Sequence, residues 1–546
     1  MESLPLNDRA SYQCQAPRWI MPTALFLGVL LLIGATAEDY GVSWDEPPYF
    51  HAIDLHLNWI KEVGSNLASG DLRNSFDDSN IKAAWHWNPY NVPHPPFSRI
   101  VSAITKNLSG DRLDKFSAYR LAPALFFAVL VTVTFLWLNE LFGPIAGCFS
   151  AIALILIPNL FAYAHIAVTD LPLATMWFLT VYCFWKGLGG WQWSIALGVV
   201  WGLALSTKFP ALLIPVPLIL WAHLFHRDKY ANNIFALLFL APVVMVATQP
   251  YLWQQTGLRV LEFLYEGISR GYRPDANFAV FFFNQILSSQ QLPWHYPFYM
   301  VAVTTPEPIL LLALVGILSA IWLREQRSSV LLLTLNAVFV LILGLLPGAV
   351  LHDGVRQMLS ALPLIAALTG VGFVVLTASL VDIARRSGKI QRITNLKAKV
   401  TAALFVLVCV NPAIDLYLTH PFQLSYYNRL VGGIRGAYER GLEATYFMEA
   451  ITPAFLQTLN ENLPKNARVN ASFANFMFEF YQREGKLRRD IRFSGSGPFD
   501  FYLIFNRQSA LAPPDRQLMD SAARPAQSVS IAGVPLVALF DIRKSP

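Results

Sequence analysis

Charge is what this sequence has least of. Only 14% of its 546 residues are Asp, Glu, Lys or Arg, against about 25% in soluble globular chains. That shortage excludes an ordinary soluble protein, which at this length would divide into roughly three or four domains. Cysteine is also scarce: Cys14, Cys148, Cys183 and Cys409 are the whole supply. Three sit in apolar runs and one in the N-terminal tail, so no disulfide framework follows, and no metal-ligand spacing appears. Neither a metal nor a cofactor is expected. Positive charge is not concentrated. The balance of 41 basic against 35 acidic residues gives +6, too even and too dispersed for a nucleic-acid footprint. Internal repeats and long low-complexity tracts are missing as well.

What is abundant is the apolar run. The composition is 55% hydrophobic, and stretches such as "IMPTALFLGVLLLIGATA" and "NIFALLFLAPVVMVATQP" approach or pass the ~18 residues expected of a membrane span. Eleven candidate spans can be marked, near 19–37, 118–140, 143–160, 169–187, 191–206, 209–225, 232–250, 305–323, 329–350, 357–380 and 400–418. With a cytoplasmic N-terminus, the inner segments hold Arg9, Arg18, Lys186, Arg227, Lys229, Arg324, Arg327, Arg385, Arg386, Lys389, Arg392, Lys397 and Lys399, while the short outer ones hold Lys208 and Arg356. Basic residues favour the cytoplasmic side, so the N-terminus is expected inside and the C-terminus outside. A small-residue pair, Ala35 and Ala37, offers the alternative that residues 1–37 are a cleaved signal; the following loop is outside either way.

The expected fold class is therefore an α-helical polytopic membrane protein with about 11 transmembrane helices and an exported C-terminal α/β domain. Residues 1–418 would form the membrane module, with exported loops at 38–117 and 251–304. Residues 419–546 are less apolar and alternate helix-like "EAITPAFLQTLNENL" with strand-like "ARVNASF", "FDFYLIF" and "PLVALFDI", the pattern of a small α/β domain.

The ionisable residues near one membrane face carry the functional reading. "SWDEPPYF" places Asp45 and Glu46 just beyond the first span. "NVPHPPFSRI" places His94 before two prolines, which fix the backbone and bar helix. "AVTDLPLATMWF" puts Asp170 at the mouth of the fourth span, where it could equally be a helix cap. Lys208 in "LSTKFPA" stands between two apolar runs, either snorkelling to the interface or facing a cavity. "LHDGVRQMLSALP" brings His352, Asp353 and Arg356 into a short turn. Ionisable groups at membrane depth tend to mark function. Acids alone would suggest cation binding. Acids together with Lys208, Arg356, His94 and Arg120 suggest a proton-accepting base beside cations for a phosphate.

In their order, "WDEP", "HPP", "TDLP" and "TKF" resemble the type C glycosyltransferases (GT-C), among them the protein O-mannosyltransferases and the bacterial lipid A aminoarabinose transferases. The resemblance spans most of residues 19–360. It implies transfer of a sugar from a polyprenyl-phosphate carrier to an acceptor hydroxyl on a protein, glycolipid or polysaccharide, at the exported face of what would be a bacterial inner membrane. It also implies inversion at the anomeric carbon, with Asp45 as base and Glu46 as its companion. Lys208, Arg356, His94 and Arg120 would bind the donor phosphate, with Asp170, His352 and Asp353 in support. One departure is His94, where many bacterial relatives carry Lys; a neutral His supplies less charge. Two other classes fit parts of the pattern. A transporter or flippase of a lipid-linked or anionic substrate explains spans and buried charge, but not the 80-residue acidic first loop. A non-catalytic scaffold or sensor has no use for Asp45.

Overall fold

Helix covers each apolar run, but in unequal lengths. The computed structural model describes residues 19–70, 72–88, 92, 94–386, 394–495, 497–521 and 523–544; Arg9, Cys14, Arg18, Asn91, Pro93, Lys389 and Arg392 lie outside them. Among the described residues, four helices are long and apolar enough to cross a membrane: Ile20–Asp39, Lys115–Phe142, Arg356–Arg386 and Leu396–Leu418. A fifth candidate is a pair, Tyr296–Thr304 and Glu307–Ile321, bent by 119°. Shorter apolar helices fill other runs, from Pro144–Ile155 to Arg327–Leu343. A 12-residue helix such as Pro144–Ile155 reaches roughly 18 Å at 1.5 Å per residue, short of a hydrocarbon core of about 30 Å. The expected count of eleven full spans is thus not what helix length supports. An apolar run reports hydrophobicity, not how much of itself is continuous helix. The chain is nonetheless an integral membrane protein, mostly helical, with a sheet-containing C-terminal region.

Close helix approach holds the centre together. A Cβ on Gly372 would lie 1.8 Å from the carbonyl oxygen of Leu312, and one on Gly316 would lie 2.1 Å from that of Leu368. Two backbones touch there because neither has a side chain in the way, the small-residue packing typical of helices in lipid. The break in the bent pair frees carbonyls, and a distant residue satisfies them. Asn428 Nδ2 donates to the oxygens of Ala302 and Thr305, each at 2.7 Å, and its backbone N–H to Val303 at 2.8 Å.

The first loop is built of helices. Glu46–Ser69 begins with Pro47 and Pro48 in its first turn, where a missing N–H costs nothing. Phe97–Ser109 follows the Pro95–Pro96 pair and buries one face. The second loop carries helix Thr256–Ser269 and a hairpin of β1 (Ala279–Phe282) and β2 (Gln285–Ser288). Its turn residues Phe283 and Asn284 both have positive φ, as a two-residue hairpin loop of the I′ kind requires. In the C-terminal region, β3 (Arg468–Ala471), β4 (Arg492–Phe493), β5 (Phe501–Phe505), β6 (Gln527–Ile531) and β7 (Val534–Asp541) form one sheet in the order β4-β3-β5-β7-β6. β3 runs parallel to β4 and β5, while β7 is antiparallel to β5 and β6. Helix Pro453–Asn462 starts where the Thr452 hydroxyl accepts the Phe455 N–H at 3.2 Å. The α/β alternation read in the sequence is present.

Candidate active site

Asp45 and Glu46 adjoin in sequence and part in space. Successive residues entering a helix point about 100° apart. Glu46 turns inward and is fully buried. Its carboxylate accepts from Ser43 N at 2.8 Å, Ala167 N at 3.0 Å, Arg120 Nε at 2.8 Å and Arg120 Nη2 at 2.7 Å. Arg120 also donates to the carbonyls of Tyr40 and Gly41. Both residues are thereby engaged with protein, and Arg120 bonds none of the carboxylates that Lys208 and Arg356 hold.

Asp45 points the other way. Its Oδ2 lies 2.7 Å from Arg356 Nη2, and 29% of its side chain remains exposed. Arg356 is the hub. Its Nε reaches Asp170 Oδ2 at 3.3 Å and its Nη1 reaches Asp353 Oδ2 at 3.2 Å. The planar fork of arginine can serve three carboxylates at once. Asp170 also accepts from Lys208 Nζ at 2.8 Å, and Asp353 from Arg507 Nη2 at 3.0 Å. Three carboxylates thus alternate with three cations in one network. The "HDGV" turn sets Asp353 at a left-handed φ of 57°. A Cβ on the next residue, Gly354, would approach the Tyr446 ring to 2.9 Å, so this turn has no room for another side chain.

Partial burial raises the Asp45 carboxyl above its ordinary value, with Arg356 opposing and Asp353 and Asp170 reinforcing. A carboxyl so raised is a better proton acceptor near neutral pH. His352 stacks on Phe278 with centroids 4.4 Å apart and places Nε2 3.5 Å from Asp353. Burial pushes its imidazole down to about 4, which keeps it neutral. His94 has a φ of 60° immediately before Pro95, an uncommon conformation for a residue in that position. The turn is tied by Arg99 Nη2 donating to the His94 carbonyl at 2.8 Å. Burial, then the charges of Arg270 and Lys208, holds His94 well below its ordinary value, so it too is neutral.

The structure therefore brings together Asp45, Asp170, Lys208, Asp353 and Arg356, with His352 at their edge and His94 within electrostatic reach. It leaves Glu46 and Arg120 as a separate pair. Sequence reasoning missed Arg270 and Arg507. Arg270 lies in the second loop, and its charge acts on both His94 and His352. Arg507 comes from the residues following β5. Both sit in polar surroundings in the sequence, where a basic residue looks like solvated surface. Beside Lys208, Asp170 and Arg356 lies a small pocket of about 20 Å³, whose other lining includes Leu173, Trp177, Val340 and Leu343. One side of it is ionic and the other apolar.

Residues 93–253 match the family model for dolichyl-phosphate-mannose-protein mannosyltransferase. The chain is similar to the type C glycosyltransferases, as the ordered motifs indicate. The matched segment contains His94, Arg120, Asp170 and Lys208 and leaves Asp45, Asp353, Arg356 and Arg507 outside. No curated protein matches the chain. Among solved structures it is similar to ArnT from Cupriavidus metallidurans, in the apo state and bound to undecaprenyl phosphate. Each shares 15% identity over 95% of this chain and 97% of that one, with a TM-score of 0.47. It is also similar to an Archaeoglobus fulgidus oligosaccharyltransferase tethered with an acceptor peptide, at 12% identity over 87% of this chain and 60% of that one, with a TM-score of 0.44.

Proposed function

We propose that this protein is an inverting membrane glycosyltransferase that moves a sugar from a polyprenyl-phosphate carrier to an acceptor hydroxyl. The reaction would take place at the exported face of a bacterial inner membrane, with the N-terminus cytoplasmic and the C-terminal α/β domain exported. The observation that carries the reading is the 2.7 Å pair of Asp45 and Arg356, joined to Lys208 through Asp170. A base and the cations for a leaving phosphate stand side by side.

The chemistry balances with these residues. The acceptor oxygen bonds to the anomeric carbon as the bond from that carbon to the phosphate oxygen breaks. The proton passes to Asp45, and the electron pair stays on the carrier phosphate. That phosphate goes from one negative charge to two. Lys208 and Arg356, with Arg270 nearby, meet the developing charge where it appears, the most effective use of fixed cations. Glu46 and Arg120 serve by fixing the start of helix Glu46–Ser69 and thus the direction of Asp45. The family match over 93–253 supports the donor class. The acceptor is a protein, a glycolipid or a polysaccharide.

The test supplies purified protein in lipid with a panel of polyprenyl-phosphate sugars and measures acceptor-dependent release of polyprenyl phosphate. Release with one donor is expected. Uptake or flipping of the donor across the bilayer, with no carrier phosphate released, would favour transport instead.

A further inference from the structure

Arg507 belongs to the C-terminal sheet region yet ends inside the ion network, with 7% of its surface exposed. Its guanidinium is held on several sides. It lies over the Trp44 ring at 4.4 Å, donates through Nη1 to the Tyr446 carbonyl, and through Nε to Ser509 Oγ at 3.2 Å. Its Nη2 takes one oxygen of Asp353 at 3.0 Å, while the other oxygen takes Arg356 at 3.2 Å. The segment carrying Arg507 is itself pinned. Asn506 pairs with the backbone of Leu536 at 2.9 Å and of Pro535 at 2.6 Å. The buried Glu443 carboxylate accepts the backbone N–H groups of Gln508 and Ser509.

We propose that Arg507 is a positioning residue for this site: it divides the two oxygens of Asp353, and so fixes the Arg356 guanidinium that faces Asp45. The role rests on the glycosyl-transfer reading only for its effect on turnover. A carboxylate bonded through one oxygen on each side cannot turn. Without Arg507, Asp353 is free to take Arg356 with both oxygens, the geometry that carboxylates and guanidiniums favour. That draws Arg356 from Asp45. The Asp353–Gly354 turn packs against the Tyr446 ring, so closely that a Cβ on Gly354 would meet it at 2.9 Å. Three carboxylates would also face two cations instead of three. Both changes make ionised Asp45 less favourable. An element 151 residues downstream of Arg356 would thus tune the base, which the sequence reading had confined to the membrane module.

The test titrates Asp45 in the intact protein and needs no sugar. Carbodiimide captures protonated carboxyls, and peptide mass spectrometry reads Asp45 labelling against pH. R507M keeps a stem against Trp44 and removes the charge. R507K keeps the charge and loses the fork. R507Q is the second uncharged variant should R507M fail to accumulate. The Asp45 midpoint is expected to rise by about one pH unit in the uncharged variant, and R507K to recover at least half of that shift. At pH values below the midpoint, sugar transfer should fall about tenfold in the uncharged variant, with the acid limb of its pH profile moving by the same amount as the label midpoint. An unmoved midpoint in a variant that melts like wild type overturns the proposal. So does a shift that R507K does not reduce, since that would mark a general disturbance. Wild-type protein that releases no carrier phosphate would defeat the transfer reading alone, because the Asp45 titration remains readable.

Discussion

Two adjacent carboxylates meet opposite fates in this molecule. Glu46 is closed on every side, its oxygens shared among two backbone N–H groups and the Arg120 guanidinium. Asp45, one residue earlier, makes its ion pair with Arg356 and keeps more than a quarter of its side chain exposed. The first arrangement is finished: any ligand would have to displace protein. The second is shared and open: Arg356 divides its donors among three carboxylates, and part of Asp45 still faces solvent. Reactivity is expected where satisfaction is incomplete, and the helix start at Glu46 makes the difference by aiming the two side chains apart.

The sharpest way to break this comparison is D45N. It keeps the size and loses the proton-accepting oxygen. General-base contributions run about a hundred- to ten-thousand-fold, so transfer should fall at least about a hundredfold while donor binding, read by retention of a labelled polyprenyl-phosphate sugar, stays near wild type. Near-normal turnover in D45N would remove the loop from the catalytic centre.

E46Q should act on a different quantity. Removing one member of a buried ion pair costs about 3–5 kcal/mol, so its signature is a lower melting temperature and poor accumulation. An E46Q protein that melts normally yet transfers nothing would exchange the two roles.

K208A tests the open network at its other end. A hydrogen bond to a charged group is worth about 1.5–3 kcal/mol, so donor affinity should weaken roughly ten- to a hundredfold. If Lys208 only braces Asp170, thermal stability drops and donor affinity does not.

The smallest expected effect concerns Glu443, another closed carboxylate. Burial pushes it up to about 7 from an ordinary 4.5. The folded state therefore holds this proton after the unfolded chain has released it. The resulting stabilisation is complete below pH 4.5 and is lost as pH rises through 7. E443Q should flatten the decline in melting temperature across that window; an unchanged slope would assign the decline to other groups.

Much of the site could be read before the fold was known. "WDEP", "TDLP", "TKF" and "HDGVR" each announced an ionisable residue at the edge of an apolar run, and Asp45, Asp170, Lys208, Asp353 and Arg356 do converge. The signal worked because a charge beside a membrane span is costly and rarely idle. The same logic fails where charge is cheap. Arg507 in "FNRQSA" and Arg270 in "ISRGYRP" lie among polar residues, so nothing local separates them from surface. Glu46 was legible as an acid but not as a buried one, since its partner Arg120 lies 74 residues away. The fold followed the same division. The helical membrane class and the C-terminal α/β pattern were plain, whereas helix lengths, the 119° bend and the π-helical stretch Ala236–Leu240 depend on packing that hydropathy does not record.

Asn428 has a consequence for anyone who would cut and recombine this protein. Its amide closes the carbonyls of Ala302 and Thr305 at the bend of the pair Tyr296–Thr304 and Glu307–Ile321. A chimera joined at residue 419, where the composition changes, would import a foreign side chain opposite those two carbonyls and leave them bare in apolar surroundings. Any seam placed before Asn428 separates that side chain from the bend it closes.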